Sequence, residues 1–125
     1  MAWCFPDECT PASLELLRRT ANEVLCVPAL WFIEITNVLA LAERKGRISA
    51  AKLSEFIALL GRFELDVDNE ASSRAFTHLL PLCREHRLTS YDAVYLDLAI
   101  RRRLPLATLD ANLRKSAKAL GIPVL

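Results

Sequence analysis

Three carboxylates sit where solubility alone does not explain an acid: Glu34 in "WFIEITNVLALA", Asp92 in "LTSYDAVYLDLA" and Asp110 in "PLATLDANL". At helical spacing the neighbours of Glu34 are Leu30, Trp31, Asn37 and Val38, so one carboxylate and one amide share an otherwise apolar face. An ionised carboxylate buried there needs a cation, an arginine or water. Asp92 falls in the predicted first turn of a helix, where free N–H groups and the positive dipole end favour an anion, and that position accounts for an acid structurally. Asp110 directly follows an apolar run and could equally be the cap of a helix beginning at Ala111. The joint placement weighs more: one acid opens a helix, one ends a strand and one lies in the second turn after another strand. All three are therefore predicted to face one edge. Carboxylates without basic residues in their motifs form an all-oxygen donor set for a hard divalent cation, Mg²⁺ or Mn²⁺. Such an ion lowers the pKa of a bound water, aligns it with a phosphodiester and stabilises charge on the leaving oxygen, which is nuclease chemistry.

Around these acids stand residues with weaker claims. Thr108, two positions before Asp110, could orient a carboxylate or water, although a strand Thr is more often structural. Asp97 lies about 140 degrees around the helix from Asp92, so a solvated or ion-paired role is favoured over that of a peripheral ligand. Arg101, Arg102, Arg103, Arg114 and Lys115, with Lys118, are six basic residues against the single acid Asp110. They are candidates for phosphate contact, although cations near helix C-termini are also expected on electrostatic grounds. His78 and His86 have no partner at a catalytic spacing, and Trp31, Phe32 and Phe56 read as core rather than as a base-stacking platform. Cys4, Cys9, Cys26 and Cys83 show no CxxC pair and read as scattered reduced thiols.

The elements that must position the acids follow from periodicity and stop signals. Thr10 and Pro11 open a helix to about residue 20, with Leu14, Leu17 and Ala21 on one face. Residues 23 to 28, "EVLCVP", suit a buried strand, and a largely apolar helix over 29 to 45 should stop at Gly46. Ser49 caps a helix running to about 63, and "ELDVD" at 64 to 68 is a weak strand. A helical stretch over 70 to 86 should be kinked or split by Pro81. Ser90 caps a helix over 91 to 102, "PLATL" is a second good strand, and "IPVL" is a third after a short helix ending at Gly121. Strands separated by helices imply crossovers, hence an α/β fold with a mainly parallel sheet flanked by helices and ligands at the strand ends.

Length and composition narrow the classes. A chain of 125 residues, 53% apolar, fits a single domain over 1 to 125. Sixteen Lys and Arg against fifteen Asp and Glu give a formal net charge of +1, so any nucleic-acid site must be local. The first thirty residues lack a signal-peptide pattern, and the apolar stretch from 24 to 42 is broken by Pro28, Glu34, Thr36 and Asn37. A cytoplasmic protein without a membrane anchor is expected.

The segments "PALWFIEITNVL", "LTSYDAVYLDLA" and "LPLATLDANLRKSAKALGIPVL", in that order, resemble the VapC-type PIN-domain family over most of the chain. The pairing of the Y-D-A-x-Y-L segment with T-L-D-x-x-L eighteen residues later is the specific part. The resemblance implies a PIN-like three-layer sandwich and a metal-dependent endoribonuclease toxin of a type II toxin–antitoxin system, restrained by a cognate antitoxin. It carries catalytic and metal-binding roles onto Glu34, Asp92 and Asp110, and supporting roles onto Asn37 and Thr108. The family would add an Asp on a first strand. By this resemblance "MAWCFPDE" matches the end of the following helix, the first strand is absent, and Asp7 and Glu8 are solvated loop acids. Neighbours left without that strand would need another partner, which makes a homodimer the expected outcome. The competing readings are a catalytically deficient PIN-like protein that retains antitoxin binding or a structural role, and a plain interaction module.

Overall fold

The computed structural model describes residues 10–20 and 22–125, apart from the side chains of Ala12 and Arg19. The expectations for Cys4, Asp7, Glu8, Cys9, the segment "MAWCFPDE" and Ala21 lie outside the described residues. By compactness the chain divides into two units, the described chain up to Cys26 with Leu30–Asp66, and Val27–Ala29 with Val67–Leu125.

In the first unit, α1 (Pro11–Thr20) is opened by a reciprocal cap: Ser13 N donates to Thr10 Oγ1 at 3.1 Å and Thr10 N to Ser13 Oγ at 2.9 Å. Helix α2 (Leu30–Arg44) buries Ile35, Leu39 and Ala42 at i, i+4, i+7 spacing. It stops as expected at Gly46, whose φ of 66° lets Arg47 N reach Ala42 O at 2.9 Å. Ser49 caps α3 (Ala50–Leu60) by accepting from Lys52 N at 3.3 Å. The helix ends at Leu60 rather than near 63. Phe56 packs on Ile35 and Leu39, with Trp31, Leu53, Leu59 and Leu60 around them.

Strands β1 (Leu25–Pro28) and β2 (Leu65–Asp68) pair with each other. Leu25 N donates to Glu64 O at 2.8 Å in the first unit and Ala29 N to Asp68 O at 2.9 Å in the second. Donor and acceptor advance together along the two chains, so the pairing is parallel.

In the second unit, α4 (Ala71–Arg74) runs into a π-helical turn (Ala75–Leu79) and α5 (Leu80–His86). Pro81 follows the π-turn directly, and around it the helical run changes its bonding, with Leu80 N donating to Ala75 O, instead of splitting in two. Helix α6 (Ser90–Arg102) begins one residue early because Thr89, not Ser90, is its cap. Helix α7 (Ala111–Ala119) follows Asp110. The runs "PLATL" and "IPVL" form one parallel bridge, Leu106 with Val124, instead of two strands. Pro123 has no N–H to continue the ladder back to Leu104 O. Leu88, Leu96, Ala99, Leu106, Leu113 and Ala117 make the core of this unit. The class is α/β with helices accompanying a small parallel sheet, as expected.

Candidate active site

The second unit holds Asp92 and Asp110, and in each case a threonine and a helix start fix the acid. Thr89 Oγ1 accepts from Asp92 N at 3.2 Å and donates to Asp92 Oδ2 at 2.7 Å, which holds the half-buried carboxylate in the first turn of α6. Asp110 is exposed and is itself the cap of α7, its Oδ1 accepting from Leu113 N at 2.8 Å. Thr108 Oγ1 accepts from Asp110 N at 3.1 Å, so the predicted supporting residue and the acid do meet. Asp110 Oδ2 and Asp92 Oδ1 accept no hydrogen bond among the described residues. Both acids lie at helix N-termini, where backbone N–H groups are free of intrahelical partners.

Glu34 belongs to the first unit, half-buried on α2 beside the Ile35, Leu39 and Ala42 stripe, while Asn37 is exposed. Among the described residues no group of three or more His, Cys, Asp or Glu stands ready to hold one metal ion. The donor chemistry of the individual acids suits a hard divalent cation.

Asp97 has a different occupation. Its Oδ2 accepts from Arg74 Nε at 2.8 Å and Arg101 Nε at 2.9 Å, and its Oδ1 from Arg74 Nη2 at 2.8 Å. Arg101 Nη2 also donates to Asp68 Oδ2 at 2.7 Å, and Glu70 stands 3.4 Å from its Nη1. Asp68 and Asp97 are 3% and 4% exposed, so two buried carboxylates are neutralised by two guanidiniums. Burial pushes the Asp97 carboxyl up, but the hydrogen bonds and charges of Arg74 and Arg101 outweigh it and hold the group below the usual carboxylate range. The hydrogen bond to Asp97 raises Arg74, and that to Asp68 raises Arg101 further. Arg101, a candidate for RNA contact, thus has its guanidinium committed to protein carboxylates. Asp68 and Arg74 were not singled out from the sequence. The Asp97 and Arg101 pair was legible at i, i+4 spacing, but nothing local tied it to residues 68 and 74.

Of the other candidate cations, Arg102, Arg103 and Lys115 are exposed and Arg114 is half-buried. His78 Nδ1 shares a 2.8 Å hydrogen bond with Thr77 Oγ1, and His86 Nε2 is buried without a partner among the described residues. Cys26 and Cys83 are half-buried. Trp31 and Phe56 are core residues as expected, but Phe32 is not: it is 42% exposed, its ring edge-on to Trp31 at 5.1 Å between centroids. An apolar groove of about 610 Å³ opens along α2 and α3, lined by Trp31, Phe32, Leu39, Leu53 and Ile57 among others, and includes none of Glu34, Asp92 and Asp110. Among the described residues no helix is long and apolar enough to cross a membrane.

The fold is α/β, with acids at the starts of two successive helices, α6 and α7. The chain belongs to the PIN domain family, which it matches over residues 2–119. PIN domains are generally nucleases. A search of the curated proteins returned no match.

Proposed function

We propose that this protein is a metal-dependent endoribonuclease of the VapC kind, the toxin of a type II toxin–antitoxin system. The observation that carries the reading is the pair of acids in a PIN domain, Asp92 and Asp110, each held at a helix start through one carboxylate oxygen while the other accepts no hydrogen bond among the described residues. Glu34, Asp92 and Asp110 are the proposed metal ligands and catalytic acids, with Thr108 and Asn37 in support. Mg²⁺ or Mn²⁺, when bound, would supply a water of lowered pKa and charge stabilisation at the phosphodiester. The protein's own contribution is to orient the Asp92 and Asp110 carboxylates through helix N-termini and threonine hydroxyls. Arg102, Arg103 and Lys115 are the proposed RNA contacts, because Arg101 is held by Asp68 and Asp97. The same reading takes residues 1 to 125 as one PIN-like domain of a cytoplasmic protein that forms a homodimer and is restrained by a cognate antitoxin.

A second reading is a PIN domain without nuclease activity that keeps only antitoxin binding or a structural role. Cleavage of RNA with added Mn²⁺, measured beside Mn²⁺ titration calorimetry, separates the two. Metal-dependent cleavage that falls about a hundredfold or more in Asp92→Asn, the scale on which loss of a positioned reactive group acts, supports the nuclease. Equal cleavage by wild type, Asp92→Asn and chelator-treated protein rules out this mechanism, and neither cleavage nor Mn²⁺ binding establishes the second reading.

A further inference from the structure

The geometry points to Arg114 as a positioning residue for Asp110 rather than an RNA-binding cation. The inference deepens the nuclease reading, on which it rests for the importance of Asp110. Arg114 lies in the first half of α7, and its Nη1 turns back across the helix start to donate to Thr108 O at 2.9 Å and to Leu125 O at 3.4 Å. Thr108 is the residue whose hydroxyl accepts from Asp110 N at 3.1 Å, and Asp110 Oδ1 in turn accepts from Leu113 N at 2.8 Å. Arg114 N also donates to Asp110 O at 3.0 Å. One side chain thereby joins three pieces of chain, the turn that bears Asp110, the helix Asp110 caps and the segment paired with Leu106.

That segment needs such a tie. The turn from Ala107 to Asp110 belongs to no strand, and the chain before it is held by Leu106 N on Pro123 O at 2.8 Å, Leu125 N on Leu106 O at 3.0 Å and, further back, Leu104 N on Ala99 O at 3.1 Å. Leu109, directly before the acid, is 67% exposed and contributes little packing. Without Arg114 the Thr108 carbonyl would turn to water, and the turn would keep only the short-range hydrogen bonds within residues 108 to 113. Both contacts are made by Nη1, whose two hydrogens can each reach one oxygen, the shorter bond being the one to Thr108 O.

The experiment compares Arg114→Gln and Arg114→Lys with wild type, first by amide hydrogen exchange and then by RNA cleavage. Exchange at Leu113 N–H should be about tenfold faster in Arg114→Gln, the factor matching loss of roughly one hydrogen bond's net contribution, with Leu96 and Ala99 unchanged. Arg114→Lys should recover part of the protection, since an ammonium can still reach one carbonyl. In the nuclease assay kcat should fall with KM, and the salt dependence of RNA binding, unchanged. Unaltered exchange at Leu113, or a salt slope reduced by about one with kcat intact, would make Arg114 a phosphate contact and overturn the inference. Uniformly faster exchange throughout α6 and α7 in both variants would reduce it to a general stability role and overturn it equally. If wild type neither binds Mn²⁺ nor cleaves RNA, the nuclease reading falls, while the exchange data still decide what Arg114 holds.

Discussion

Asp110 spends one carboxylate oxygen on the first turn of α7, and substitution can separate that duty from metal binding. Asn caps a helix about as well as Asp, so Asp110→Asn should leave stability within about 0.5 kcal/mol of wild type, whereas Asp110→Ala should cost about 1 kcal/mol. The amide lacks the charge a divalent cation needs. Mn²⁺ titration should therefore show lost affinity in Asp110→Asn beside an unaltered urea midpoint, and unchanged affinity would reduce Asp110 to a cap. Asp97 poses the opposite case. Removing its charge in Asp97→Asn leaves the Arg74 and Arg101 guanidiniums, whose side chains are 20% and 16% exposed, facing each other without their shared carboxylate. A loss of about 3–5 kcal/mol in urea denaturation is expected, because breaking a buried pair strands a charge. A cost below about 1 kcal/mol would mean that water reaches the cluster.

Among the elements, α5 and α6 both end on an arginine in the left-handed region, Arg87 at φ 55° and Arg103 at φ 53°. That conformation costs an L-residue roughly 1–2 kcal/mol, while glycine adopts it freely but loses more entropy on folding. The net expectation for Arg87→Gly is a gain of about 0.5–1 kcal/mol, read as a higher urea midpoint with unchanged slope. A lower midpoint would show that the arginine side chain contributes more than the backbone strain removes. Between Arg74 and Leu80 the π-turn separates a residue bonded to Asp97 from Pro81 and carries the buried Leu79.

For the whole molecule the lowered pKa of Asp97 gives an expected acid sensitivity. Because the folded pKa of Asp97 lies below its ordinary value of 3.8, its contribution to stability is complete above about pH 4. It is lost as pH falls from there toward the folded pKa, since the unfolded chain takes up the proton first. Urea midpoints measured from pH 6 downward should hold and then fall below pH 4, and Asp97→Asn, already less stable, should show a shallower fall. An equally steep fall in the variant would assign the acid sensitivity to other carboxylates.

Much of this protein was readable before its structure. The i, i+4, i+7 apolar stripe of α2, the Gly46 stop, the Ser49 cap, the α/β alternation and the placement of Asp92 and Asp110 at helix starts all depend on interactions within a few residues, and local periodicity and capping report these directly. The reduction of "PLATL" and "IPVL" to one bridge was foreshadowed by Pro123, but only pairing across seventeen intervening residues shows how little ladder remains. Tertiary structure alone decided that Asp68 and Arg74 meet Asp97 and Arg101, and that Arg114 turns inward to Thr108 and Leu125. A charged residue has the same local signature whether it faces water, RNA or another buried charge. Its role is set by which distant groups the fold brings within about 3 Å, the hydrogen-bond range over which such partners act.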